Sequence, residues 1–195
     1  MGEVLSYPSP YTEEKKTAYL GMVILIASWA MMFVSIFLVY GAVRFNAPEW
    51  PPIGLPLPSL TLPTINSLVM IASSVTLEYG LVAIRNGKPR RLAPMLLLTT
   101  LLGVAFVYIQ YILGSDLYAA GLELDRGAYA AVLYGLSVIH ALHVALGILA
   151  LSILTIFAFR GAYTTPRHLR VRLWSVYWHF VGVVWLAMYI LVFVL

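Results

Sequence analysis

Long apolar runs alternate with short polar clusters along this chain. The runs are too long for strands and too uniformly apolar for the one-sided helices of a water-soluble bundle. Five of them can cross a bilayer, because about 20 helical residues cover a hydrocarbon core of about 30 Å. They fall near 19–43, 60–84, 93–114, 127–159 and 173–195. The fourth, about 50 Å long if fully helical, must tilt or project beyond the membrane. Pro63 and Pro94 sit in the first turns of the second and third runs, where a missing N–H costs little. The pattern predicts an all-α, polytopic membrane helix bundle, with residues 1–18 as a polar tail and 19–195 as one five-helix transmembrane domain.

Composition agrees: 62% of residues are hydrophobic and 10% charged, against about a quarter charged in a soluble domain. Such a chain cannot keep its surface wet. Cysteine is absent, which excludes disulfides, thiolate metal sites and iron–sulfur clusters. The N-terminal stretch "MGEVLSYPSPYTEEKKTAY" has neither the layout of a signal peptide nor the Arg-rich, acid-poor character of a mitochondrial presequence.

The net charge of +4 is a matter of topology and not of nucleic-acid binding. Lys15, Lys16, Arg85, Lys88, Arg90, Arg91, Arg160, Arg167, Arg170 and Arg172 fall on one side of the predicted spans, and only Arg44 and Arg126 on the other. The positive-inside rule then puts the N-terminus in the cytoplasm and the C-terminus outside. On the outer side, six of the eleven prolines lie between Pro48 and Pro63, which predicts an extended, semi-rigid strap. A second outer loop carries Asp116, Glu123 and Asp125.

Few polar groups capable of chemistry lie inside the spans: Glu78, His140, His143, His179 and Gln110. Ionisable residues there are functional hypotheses until packing accounts for them. His140 and His143, three apart in "HALHVALG", share a helix face. Metal binding would need further ligands: a di-iron bundle site requires four carboxylates, and a copper site would have to recruit His179. The alternative is that both imidazoles hydrogen-bond to neighbouring helices, with Gly135, Ala141, Ala145 and Gly147 permitting close approach. Glu78 and His179 both lie roughly 10–12 Å inside the cytoplasmic face, so contact between them is geometrically open. Gln110 reads as an interhelical hydrogen-bond donor. No Ser–His–Asp arrangement, Walker loop, dinucleotide-binding glycine motif or HExxH occurs.

Four stretches, in order, resemble subunit III of the haem–copper terminal oxidases. "WPPIGLPLPSLTLPTINSLVMIASSVT" resembles that family's Pro-rich loop and following span, and "LLLTTLLGVAFVYIQY" is similar to its next span. "HALHVALG" matches His-x-x-His-Val-x-x-Gly, and "YWHFVGVVWL" matches Trp-His-Phe-x-Asp-x-Val-Trp almost throughout. The resemblance covers about Tyr19 to Leu195 and, with five spans, points to the shorter bacterial or archaeal form, in the prokaryotic cell (inner) membrane. It implies a non-catalytic structural subunit that itself binds no haem, copper or other metal, these cofactors belonging to the catalytic partner. It also implies packing on oxidase subunits I and II, phospholipid held in a cleft, and support for proton delivery and turnover durability. On that resemblance His140, His143 and His179 are intersubunit or interhelix contacts, and Trp178, Phe180 and Trp185 anchor packing.

The chain departs from the family where Trp29, Leu113 and Gly182 stand at positions that are acidic in typical members, which favours the structural role. Glu78 is a candidate local replacement for one of the lost acids. Three other readings stay open: the subunit-III-like accessory protein of a nitric oxide reductase, a small secondary transporter, and a free-standing metal-dependent membrane enzyme. A transporter predicts broken helices and an inverted repeat, and no repeat is visible in these uneven spans.

Overall fold

The structure is a computed structural model and describes residues 10–50, 59–123 and 127–194. Most of the Pro-rich strap, with Asp125 and Arg126, lies outside the described residues. The described chain folds into five long helices: α1 (Pro10–Asn46), α2 (Thr61–Arg85), α3 (Leu92–Ala119), α4 (Ala128–Phe159) and α5 (Leu169–Met188). A short 3₁₀ turn (Pro89–Arg91) leads into α3, and a π turn (Tyr189–Val194) follows α5. All five helices are long and apolar enough to cross a membrane, so the chain is a multi-pass membrane protein.

The helix ends differ from the predicted spans in instructive ways. α1 begins at Pro10 rather than near Tyr19. Hydropathy marks where hydrocarbon begins, whereas Glu14, Lys15 and Lys16 are good helix formers that carry the helix into water behind an N-terminal proline. Likewise α3 runs on past Gly114 to Ala119. It stops where Gly121 takes φ 93° and the Leu122 N–H reaches the Leu117 carbonyl at 3.0 Å. That 6→1 bond is the Schellman ending, which a left-handed glycine makes possible. The helix therefore ends at its cap and not at the first small residue.

α5 is the central element, and two tryptophans explain how it is held. Trp178 and Trp185 are seven apart on one face, fully buried, and each donates its indole N–H to a serine of α2. Trp178 reaches Ser73 Oγ and Trp185 reaches Ser67 Oγ, both at 3.0 Å. Without such a partner a buried indole N–H would be costly in an apolar interior. The antiparallel run of α2 and α5 sets the register: six residues back along α2 match seven forward along α5.

Glycines make room for these rings. A Cβ at Gly147 on α4 would lie 2.8 Å from two atoms of the Trp178 ring, and one at Gly103 on α3 would lie 2.8 Å from its far tip. Trp178 is thus wedged between three helices. α2 and α3 approach closely at Gly80, where a Cβ would come 2.9 Å from that of Met95, and their Thr76 and Thr99 hydroxyls share a bond of 2.9 Å. Small residues permitting backbone contact are the usual glue of membrane bundles, where lipid tails remove most of the hydrophobic incentive to associate.

α1 is peripheral, with only 6% of its apolar stretch buried against the other helices. It docks through aromatic edges: Trp29 meets Tyr177 of α5 with ring centroids 5.2 Å apart.

Candidate functional site

The intramembrane polar residues divide into three groups. His140 is 1% exposed and lies among Phe33 of α1, Phe106 of α3 and Trp185 of α5, with ring centroids 6.2, 5.9 and 5.7 Å away. Neither ring nitrogen has a hydrogen-bond partner among the described residues. Here the structure corrects the sequence-based expectation of hydrogen bonds to neighbouring helices: His140 packs as an aromatic ring.

His143 is held by ring contacts and by its own helix. Its Nδ1 lies 2.7 Å from the Ile139 carbonyl one turn back, so this bond also differs from the expected interhelical one. The ring meets Trp29 edge-on at 4.4 Å and Phe33 at 5.1 Å. The interhelical bond at this residue comes from its backbone, because the Tyr177 hydroxyl donates to the His143 carbonyl at 2.8 Å. Trp29, one of the positions where the resemblance leads one to expect an acid, thus contacts an imidazole through its ring. Of the small residues expected to permit close approach, Gly147 does so, whereas Gly135 has nothing within 4 Å of a would-be Cβ.

Glu78 and His179 do meet. Oε2 of Glu78 lies 3.6 Å from Nε2 of His179, and Oε1 lies 3.7 Å from Arg85. The depths counted along the two helices match, and the azimuths turn both groups to one surface. Gly182 opens onto the same groove, of about 340 Å³, together with Ser74 and Met70. A side chain at 182 would meet Met70 Cγ at 3.5 Å and Ser74 Oγ at 3.6 Å, ordinary contact distances.

Gln110 accepts a 3.3 Å bond from Asn66 of α2, so it acts as acceptor here rather than as the expected donor. Asn66 is fully buried and was missed in the sequence because an isolated Asn near a predicted helix start looks like a turn residue. Leu113, at another position expected to be acidic, belongs to a buried apolar cluster with Leu117 and Leu133. Of the packing anchors, Trp178 and Trp185 are buried completely and Phe180 packs partly against the core.

At the end of the bundle carrying the α4–α5 connection, two cavities of about 290 and 440 Å³ share Phe157, Tyr163 and Arg170. One is walled by aliphatic residues of α4, including Leu146, Leu149 and Ile153. The other is bounded by Lys15, Arg167 and Glu14. Together they run from an apolar slot to a basic rim. Burial pushes the Tyr163 phenol up from its usual value, with nearby Arg170 acting in the opposite direction, so the group stays a neutral donor.

Among the described residues no cluster of three or more His, Asp or Glu is arranged to hold a metal ion. Residues 11–195 match the family model of cytochrome c oxidase subunit III. The chain belongs to the cytochrome c oxidase subunit III family. It is 34% identical over 176 residues to cytochrome c oxidase subunit 3 of a Synechocystis strain, covering 90% of this chain and 74% of that protein. Against the Thermostichus vulcanus protein of the same name identity is 32% over 180 residues, covering 90% and 86%. The Loxodonta africana subunit 3 is 31% identical over 179 residues, covering 89% and 67%. Family membership makes this chain a structural subunit of a haem–copper oxidase, an oxidoreductase complex of the respiratory chain.

Proposed function

We propose that the chain is the non-catalytic subunit III of a prokaryotic cell-membrane oxidase, packing on subunits I and II and holding phospholipid, with haem and copper carried by the partner. The observation that carries this reading is the use made of the imidazoles. His140 is enclosed by aromatic rings and His143 is bound to its own backbone, so both imidazoles serve the packing of the bundle. The names of the relatives favour an oxidase over a nitric oxide reductase accessory protein. The groove running from Leu149 and Ile153 to Arg170 and Arg167 supports the lipid part: acyl chain along α4, phosphate at the guanidinium groups, Tyr163 donating from the side. The positive-inside distribution puts that rim at the cytoplasmic surface.

Affinity purification of the tagged chain from native membranes, with a visible spectrum, subunit inventory and lipid mass spectrometry, tests this. A larger haem-bearing subunit and retained anionic phospholipid should accompany it. Recovery of the chain alone with stoichiometric metal would overturn the reading. Arg170→Gln should lower retained anionic lipid and leave haem per complex unchanged.

A further inference from the structure

Glu78, Arg85 and His179 meet on the outward surface of α2 and α5, not in the core. Glu78 precedes Arg85 by seven residues, about 10 Å along the helix axis, which sets the carboxylate below the headgroup layer. The three side chains keep substantial exposure, 45% for Glu78, 39% for Arg85 and 38% for His179. Neither contact is closed: 3.7 and 3.6 Å compare with about 2.7–2.9 Å for a charge-assisted hydrogen bond. A carboxylate can accept about four hydrogen bonds, and this one has two loose neighbours. Lipid tails offer no donor, so leaving it against them is expensive.

From this triad the groove between α2 and α5 continues toward the other membrane face. Its floor is low, formed by Ser74 and Gly182, and Ile71, Val183 and Leu186 rise beside it. Small residues on a membrane helix face admit another helix closely.

We propose that this groove, with the triad at its end, is the seat of a transmembrane helix of the larger, haem-bearing subunit, which presents one neutral hydrogen-bond donor (hydroxyl, amide or indole) to Glu78. The proposal rests on the structural-subunit reading above and says where and by what chemistry the subunit docks. A neutral donor fits because Glu78 and Arg85 already cancel in formal charge, and a cation from the partner would leave a buried excess. A lipid phosphate is disfavoured, since it would oppose the Glu78 carboxylate. The middle of α1 makes no such demand: the exposed hydroxyls of Ser28 and Ser35 bond to their own backbone at 2.9 and 2.8 Å, so that stretch can face lipid.

The chain has no cysteine, so single cysteines report position cleanly. Val183→Cys in the groove and Leu142→Cys on α4 are comparably exposed, at 64% and 66%. With a cysteine-directed photo-crosslinker in native membranes, Val183→Cys should give an adduct with the haem-bearing subunit and Leu142→Cys should not. Equal adducts from both sites, or adducts from Val183→Cys with only lipid or a second copy of this chain, would overturn the proposal. In parallel, Glu78→Leu should lower haem recovered per tagged chain about three- to twentyfold, the range for one interhelical hydrogen bond in a bilayer. Membrane levels of the chain should be unchanged, and Glu78→Gln, which keeps an acceptor, should retain most of the haem. Undiminished haem with Glu78→Leu sinks the seat alone; a wild-type chain that retrieves no haem protein sinks the functional reading instead.

Discussion

Replacing Gly147 by alanine tests whether Trp178 is the wedge of this bundle. The added Cβ would stand 2.8 Å from Cε3 and Cζ3 of the indole and 3.2 Å from a Tyr177 ring carbon. Relaxed carbon contacts need about 3.5–4.0 Å, so the ring must retreat by roughly 0.7–1.2 Å. It has nowhere to go. Gly103 closes the far side, where even a methyl group would be 2.8 Å from the ring tip, and the N–H is tied to Ser73 at 3.0 Å. Overpacking of this kind costs about 1–3 kcal/mol, and stretching the indole–serine bond adds about 0.6. Alanine returns about 0.8–1.0 kcal/mol through helix propensity.

The net expectation is roughly 1–3 kcal/mol of destabilisation, which for a chain of this size lowers the thermal midpoint by roughly 2–12 °C. Gly135→Ala, on the same helix, is the matched control, because nothing lies within 4 Å of its new Cβ. It should be neutral or slightly stabilising, and the difference between the two variants cancels helix propensity. Thermal unfolding of both in one detergent, followed by intrinsic fluorescence, is the assay. Adding Trp178→Phe to Gly147→Ala should cost less than the sum of the single changes, by about 0.5–3 kcal/mol. Indistinguishable midpoints for Gly147→Ala and Gly135→Ala would refute the wedge.

Further changes probe the remaining contacts. His140→Leu should leave the bundle as stable or raise its midpoint, since an unsatisfied buried polar group costs about 1–3 kcal/mol; a clear loss of stability would mean that those ring nitrogens are bonded. Ser73→Ala and Ser67→Ala each strand an indole N–H, and each should lower the midpoint by an amount equivalent to about 0.6–1.7 kcal/mol. A larger loss for Thr64→Val, whose hydroxyl meets Tyr189 at 2.8 Å at an exposed position, would contradict the ranking by burial. His179→Leu should weaken association with the large subunit more than it alters oxygen reduction in complexes that stay assembled, measured as haem recovered against turnover per haem.

The helices were legible because hydropathy and end signals are local properties. Pro63 and Pro94 act within a few residues of where they stand, and the apolar runs needed no partner to be recognised. Depth was legible too. Counting turns from the basic clusters put Glu78 and His179 at one level, and the structure brings them to 3.6 Å. Azimuth was not. Whether a polar residue on a long apolar helix points to core, neighbour or lipid depends on how that helix is rotated, and uniformly apolar helices carry almost no periodic signal to fix the rotation. His140 and Gln110 show the consequence: one became a ring among rings and the other found Asn66 as its donor.

By itself, then, the sequence determined that this chain forms five helices long and apolar enough to cross a membrane. It also carried the ordered motifs that mark its family. Only the tertiary structure decided which faces meet, because in hydrocarbon the choice among faces rests on short-range fit. A tryptophan settles where two glycines on different helices leave its width, and its N–H selects the serine within reach. Those conditions hold only once the helices are together.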